Sequence, residues 1–388
     1  MDMIIGGPGT GKTTELVSMI KFRKPNSFAM LSFTRQAAAE AKAKLSVHYS
    51  QKDLIWVRTI HSMAFQLLRL NKNSIFTYQD QLDFGNLYGY EFSAKFKFEE
   101  DGTFEGLTEE DIIFRKMVML KGPEDDDFLR IDEMGKKYVA YKKLKGLLDF
   151  NDLLGICIQK GVFPKLDMLV VDEVQDLSGL QLHFIDNLAH GCKEVILAGD
   201  DDQMIYEWAG VKREHFMELS KICEKRILSI NYRLPGEIVN KSNSIIKRCR
   251  NRIEKPTPVI TQHMFPAIKR IDDMGSDIKF EPTMSYLVLV RNAYLLKGVK
   301  ELLEELVIKY GLLKSDNYGK KVANVQLSTI HGSKGAEADV VIILKDVSPA
   351  TYEHITSDAE HRVWYVGVTR AKKQLILVES QGPYSYDL

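Results

Sequence analysis

Short, wholly apolar runs alternate along this chain with longer stretches in which apolar residues recur every three or four positions. Met3-Ile4-Ile5, Phe28 to Ser32, Leu54 to Val57, Met168-Leu169-Val170-Val171 and Val195-Ile196-Leu197-Ala198 have the continuous apolar character of buried strands. Thr14 to Ile20, an Ala- and Lys-rich segment from Thr34 to about Leu45, and His61 to Leu70 read as helices. In the last of these Ala64, Phe65, Leu67 and Leu68 lie close to helical spacing. Repeated strand–helix units predict an α/β fold whose parallel sheets are covered by helices. From about Asn71 to Lys145 the rhythm is lost. Aromatics, scattered charges and the run Glu124-Asp125-Asp126-Asp127 predict a mainly helical insertion there, with an exposed loop. A second series begins near Arg226, with strand Ile227 to Ile230, helix Pro235 to about Lys247, strand Tyr286 to Val290 and helix Lys297 to Tyr310. Strands at Val325 to Ser328, Val340 to Leu344 and Leu375 to Val378 complete it. The pattern therefore predicts a first α/β domain over 1–70 and 146–222, a helical subdomain inserted over 71–145, and a second α/β domain over 223–388.

A length of 388 residues suits two or three domains, and 45% hydrophobic with 27% charged residues is ordinary for a globular protein. Lys and Arg balance Asp and Glu at 53 each, so any nucleic-acid site must come from local arrangement of charge. Cys157, Cys192, Cys223 and Cys249 have no C-x-x-C spacing, which argues for free thiols in a reducing compartment and against a zinc or iron–sulfur cluster. No apolar run approaches the ~20 residues of a membrane span. The amino terminus is strand and glycine-rich loop at once, with no signal-peptide pattern. The expected location is the cytosol, or the nucleus in a eukaryotic host.

The chemistry starts at Gly6-Gly7-Pro8-Gly9-Thr10-Gly11-Lys12-Thr13, which fits the phosphate-loop template between a strand and a helix that opens at Thr14. Glycines let backbone N–H groups turn inward around a polyphosphate, Lys12 adds charge for the outer phosphates, and the Thr13 hydroxyl is placed for a magnesium ion. Asp172 and Glu173 end one apolar strand and fit a metal-binding acid and a water-activating base. Gln203 follows the neighbouring strand, where a neutral amide suits a terminal phosphate or its water. No second phosphate loop occurs in the later half, so that half is expected to supply arginines across a cleft. The candidates are Arg233 and Arg370.

Nine blocks carry a wider likeness. They are Gly6–Thr13, Leu31-Ser32-Phe33-Thr34-Arg35-Gln36-Ala37-Ala38, Thr59-Ile60-His61-Ser62, Asp149-Phe150-Asn151-Asp152-Leu153-Leu154, Val171-Asp172-Glu173-Val174-Gln175-Asp176, Gly199 to Gly210, Asn231-Tyr232-Arg233, Thr329 to Glu337 and Tyr365 to Ala371. In that order they resemble the UvrD/Rep/PcrA group of superfamily 1 DNA helicases across nearly the whole chain. The resemblance implies two RecA-like domains with ATP between them and single-stranded DNA across their top. It implies Lys12 and Thr13 on phosphate and Mg2+, Asp172 and Glu173 on metal and water, Gln203 on the terminal phosphate, and Arg233 with Arg370 as fingers. It further implies Tyr232 stacked on the base, Glu337 on the ribose or phosphate side, and Phe33, Tyr206 and Trp208 interleaved with DNA bases. Thr34, His61 and His331 then lie along the DNA path.

Three departures modify this. The upstream segment whose glutamine reads adenine in that group has no counterpart before Gly6, so looser base selectivity is expected. Only a short stretch separates Tyr310 from Val325, where the group carries a large duplex-contacting insertion. Ala209 and His361 replace residues usual in the group, which is expected to alter local DNA or interdomain contacts. The resulting expectation is a compact ATP-dependent helicase moving 3′ to 5′ on single-stranded DNA and acting at single-strand–duplex junctions. A protein-stripping translocase with little unwinding and a nucleotide-switched interaction module are the alternatives.

Overall fold

A computed structural model describes residues 1–93, 108–119, 132–262, 266–313, 323–380 and 382–388. The acidic run 124–127 lies outside the described residues, as does 314–322 between Tyr310 and Val325.

The first sheet contains β1 (Asp2–Ile5), β2 (Phe28–Ser32), β3 (Val57–Thr59), β4 (Leu166–Val171), β5 (Cys192–Gly199) and β6 (Glu224–Ile227). Their order is β3-β2-β4-β5-β1-β6 and every pairing is parallel. The apolar runs are continuous because both faces of this sheet are covered. Ile4, Val170, Ile196 and Ala198 face Leu16, Val17 and Ile20 of the helix Lys12–Arg23, while their alternates Met3, Ile5, Leu169, Val171 and Leu197 pack in the opposite layer with Leu153, Leu154, Phe184 and Leu188. A two-stranded pairing of β7 (Ile230–Pro235) with β8 (Val259–Gln262) follows. The second sheet contains β9 (Ile268–Ile271), β10 (Tyr286–Val290), β11 (Tyr310–Leu312), β12 (Val325–Thr329), β13 (Ala338–Leu344) and β14 (Ala371–Val378), in the parallel order β11-β12-β10-β13-β14-β9.

Several boundaries differ from the sequence pattern. The strand expected over Ile227 to Ile230 is two strands: β6 joins the free edge of β1, so the first sheet reaches Ile227, beyond the expected limit at 222. A four-residue apolar stretch does not reveal to which sheet each end belongs. Leu54 is buried beneath the turn that precedes β3 and does not lie in that strand. The helix that starts at Ile60 stops at Leu67, with Arg69 at φ +52° turning the chain. Likewise Leu296–Glu305 ends before Val307, at φ +57°, and Tyr310 opens the edge strand β11 in place of a last helical turn.

The helices Tyr78–Tyr88, Glu109–Met119 and Asp132–Lys145 share an aromatic core of their own around Phe84, Phe114, Tyr138 and Tyr141. Buried Lys142 reaches Asp149 and Asp152 and ties this core to the helix Phe150–Lys160. Among the described residues no helix is long and apolar enough to cross a membrane.

Candidate nucleotide site and the surface beside it

The carboxyl ends of β1, β4 and β5 lie side by side and present Gly6, Asp172 and Asp200 along one edge, where open α/β sheets hold ligands. The loop after β1 can follow its path only as glycine at two points. Gly9 has φ +76°, and a Cβ there would stand 2.9 Å from both Arg233 Cβ and Asn231 Oδ1. Gly11, at φ +83°, is the N-cap of the helix Lys12–Arg23. Lys12 is 8% exposed and folds back so that Nζ donates to the Gly6 carbonyl at 2.9 Å. The result is a backbone cradle, closed to side chains, with one buried cation at a helix N-terminus, which suits a polyphosphate.

Thr13 Oγ1 donates to Asp172 Oδ2 at 2.6 Å, bringing a hydroxyl and a carboxylate to one point. These are hard oxygen donors of the kind a magnesium ion takes. Burial, and then the charge of Glu173, raises the Asp172 pKa to about 6; Thr13 and Lys12 oppose the rise. Burial also acts to raise Glu173, but Lys12 and Lys334 outweigh it and leave that carboxyl below the usual range. Glu173 therefore stays ionised at neutral pH. Its backbone is left-handed, φ +54°, and Gln175 Nε2 donates to its Oε2 at 2.5 Å. A non-glycine residue in that region is uncommon and strained.

The second unit closes over this edge. Asn231 of β7 donates from Nδ2 to the Pro8 carbonyl at 2.8 Å, and the Tyr232 N–H donates to the Gly9 carbonyl at 2.9 Å. The Tyr232 ring, 56% exposed, lies above the loop with Cδ2 3.9 Å from where a Gly11 Cβ would be. Arg370, between the helix Asp358–Val368 and β14, is buried and donates from Nη2 to Gln203 Oε1 at 3.1 Å. Burial, with Arg233 nearby, lowers its pKa to about 10, which leaves it charged at neutral pH. Arg233 instead pairs with Glu337 at 2.7 Å and donates to the Thr369 carbonyl. Lys334, 8% exposed, donates to Asp176 Oδ1 at 2.6 Å and also to the Gln203 carbonyl.

Beside the cleft runs a row of rings. Phe33 and Tyr206 have centroids 5.6 Å apart, Tyr206 and Trp208 6.3 Å, and Trp208 and His331 6.4 Å. Lys334 Nζ stands 5.1 Å from the Tyr206 centroid, so the cation paired with Asp176 also touches this row.

A model of the UvrD/REP helicase N-terminal domain matches residues 2–224 and one of the UvrD-like helicase C-terminal domain matches 275–382. The chain belongs to the UvrD/Rep helicase family. It is 26% identical over 291 residues to the ATP-dependent DNA helicase Rep of Buchnera aphidicola subsp. Acyrthosiphon pisum, covering 65% of this chain and 44% of that protein. DNA helicase II of Escherichia coli strain K12 is 28% identical over 291 residues, 65% of this chain and 39% of that one. ATP-dependent DNA helicase PcrA of Staphylococcus epidermidis is 27% identical over 284 residues, again 65% against 39%. The chain thus spans less than half the length of these relatives.

Within this UvrD/Rep-family chain the phosphate loop, Lys12, Thr13, Asp172, Glu173, Gln203, Arg233 and Arg370 converge on one cleft. Thr14 begins the helical turn beyond it, and Glu337 reaches it through Arg233. The aromatic surface needs correction. Tyr206 is only 3% exposed and sits between Phe33 and Trp208, so it backs its neighbours and cannot offer a free face. His331 is equally buried, and burial, then Arg291 and Lys334, hold its pKa well below the ordinary histidine value. Thr34 caps the helix Arg35–Leu45, its Oγ1 accepting from the Ala37 N–H at 3.2 Å. His361 Nδ1 meets Tyr386 Oη at 2.7 Å, a contact within the second unit. Ala209 is buried, and the cross-unit contact beside it is made by Arg362 with Glu207 at 3.3 Å.

Sequence reasoning missed three working residues and one surface ring. Asn231, Gln175 and Lys334 all lie inside motif blocks, but their partners are distant in the chain or depend on turn geometry. Phe150, 48% exposed, lies 5.3 Å from the His61 ring. Its signal was an aromatic at a helix start, immediately after the N-cap Asp149.

Proposed function

We propose that this chain is an ATP-driven motor on single-stranded DNA that moves 3′ to 5′ and opens duplex at a single-strand junction. The observation that carries the reading is the Gln203–Arg370 hydrogen bond of 3.1 Å. It brings an arginine of the second unit to the amide beside Lys12, Asp172 and Glu173, and Tyr206, between Phe33 and Trp208 in the aromatic row, lies three residues later in the chain. In this reading the phosphate loop and Lys12 bind the triphosphate, Tyr232 stacks on its base, and Thr13 with Asp172 hold Mg2+. The ion, when bound, neutralises phosphate oxygens. Glu173 takes the proton of the attacking water, Gln203 orients that water or the terminal phosphate, and Arg370 stabilises the charge that develops on transfer.

Phe33 and Trp208, with Phe150 beside His61, offer rings to successive bases, a sequence-independent grip of about 1–3 kcal/mol per base. Because the row touches Lys334, strand binding and the cleft share one contact path. The test is ATPase rate with and without single-stranded DNA, followed by unwinding of duplexes bearing a 3′ or a 5′ tail. Glu173→Gln is expected to retain nucleotide binding and lose turnover, and Trp208→Ala to remove most of the DNA stimulation. Superimposable stimulation curves for wild type and Trp208→Ala would make Trp208 packing only, and absent stimulation in the wild type would favour a nucleotide switch. A second reading, a translocase that strips proteins with little unwinding, draws on the short stretch between Tyr310 and Val325. Translocation without strand separation on either tailed duplex would select it.

A further inference from the structure

Three consecutive aspartates follow β5, and all are enclosed: Asp200 and Asp201 have no exposure and Asp202 has 1%. Ligand oxygens of the three lie within 4.8 Å of one another. Carboxylates crowded in this way cannot all stay ionised unless a cation sits among them. The chain provides that cation itself. Lys255 Nζ is 2.9 Å from Asp200 Oδ1, 2.6 Å from Asp201 Oδ1 and 2.8 Å from Asp202 Oδ2. Arg252 grips Asp202 with both arms of its fork, Nε to Oδ1 at 2.8 Å and Nη2 to Oδ2 at 2.5 Å, and the Ile253 N–H donates to Asp201 Oδ2 at 2.7 Å. Lys255 and Arg252 follow the helix Gly236–Ile246, which packs against the helix Asp358–Val368 of the second unit. The acids therefore belong to one unit and the cations travel with the other.

Asp200 connects this cluster to the hydrolytic groups in two directions. Its Oδ2 accepts from Gln203 Nε2 at 2.7 Å, and with that nitrogen committed Gln203 must turn Oε1 toward Arg370. Its own N–H donates to Gln175 Oε1 at 3.0 Å, and the other end of the same amide holds Glu173. One residue thus aligns both groups, the Gln203 amide through its carboxylate and Glu173 through its backbone N–H and Gln175. Burial would raise Asp200, but Lys255 and Lys12 prevail and keep it ionised, as its acceptor role requires.

We propose that Lys255 is a positioning residue for hydrolysis, its ammonium acting as a built-in cation of the aspartate trio that sets Gln203 and Glu173 when the two units meet. This rests on the ATPase reading above. In this proposal Lys255 acts through Asp200, to which its ammonium is paired at 2.9 Å. The experiment measures kcat and KM for ATP with saturating single-stranded DNA in the wild type, in Lys255→Ala, and in Lys255→Met/Asp201→Asn, which removes the cation together with one acid so that the cluster still folds. The expected result is a kcat loss of about tenfold or more with KM within about threefold in both variants, a pattern that marks lost transition-state alignment. Added ethylammonium should restore part of kcat in Lys255→Ala and change nothing in the wild type or the Met variant. Wild-type kcat in either folded variant, or a loss confined to KM, overturns the inference while leaving the ATPase reading intact. A wild-type protein without ATPase activity removes that reading and the inference with it.

Discussion

Replacing Lys334 by Met together with Asp176 by Asn should make the protein more stable and less active. Asp176 is 1% exposed, and burial, the largest influence on it, lifts its pKa from 3.8 to about 7 despite the opposing charge of Lys334. The folded pKa lies above the unfolded one, so the folded state holds this proton more tightly. The stability tied to it is complete below about pH 3.8 and is lost as pH rises through about 7. At about 1.4 kcal/mol per pKa unit, the ionisable group costs the folded state roughly 4 kcal/mol at neutral pH relative to a side chain that is always neutral. Exchange of a buried ion pair for neutral groups of similar volume is commonly neutral or stabilising by about 1–4 kcal/mol, and the double variant should gain within that range near pH 7.5. Its advantage should shrink toward pH 5 as the wild-type carboxyl takes up its proton. Turnover should fall, because Lys334 also donates to the Gln203 carbonyl and stands over Tyr206. Urea denaturation at both pH values, with ATPase measured on the same preparations, checks each part. A double variant less stable than the wild type near pH 7.5, or an advantage independent of pH, would refute the argument that this pair serves the cleft at the expense of stability.

Two further outcomes are expected. Arg370→Ala should lower kcat by about 10³–10⁵ with little change in KM for ATP, as a finger acting mainly in the transition state does; Arg233→Ala, whose side chain pairs with Glu337, should lower kcat less, and steady-state kinetics in which Arg370→Ala alters only KM would make Arg370 a binding residue. For His331 the folded pKa lies well below 6.5, so the unfolded chain gains a proton first and stability is lost as pH falls below that value. Between about pH 7.5 and 5.5 the wild type should lose about 1.4 kcal/mol relative to His331→Gln, and equal slopes for the two proteins in denaturation series would contradict a neutral, buried imidazole.

Much of this architecture is local information. Strands such as Met168 to Val171 and Tyr286 to Val290 are legible because a strand buried on both faces needs only a continuous apolar run. The phosphate loop is legible because its glycines, lysine and threonine are neighbours in the chain and their geometry is set by backbone conformation within a few residues. Asp172 and Glu173 were identifiable as strand-end acids on the same ground. What the tertiary structure decided depends on where distant segments meet. Ile227 and Ile230 part company because the edge of β1 is open to one and β8 to the other, and no local periodicity carries that choice. Tyr206 looks like Phe33 and Trp208 in the sequence, yet it is covered because rings from both flanks and Lys334 converge on it. Asn231, Gln175, Lys255 and Lys334 are unremarkable polar residues until folding removes water from around them. Once buried, each hydrogen-bonding or charged group must find a partner, and no single segment contains those pairings: Gln175 ties two strand ends of the first unit, while Asn231, Lys255 and Lys334 join the two units at the candidate site.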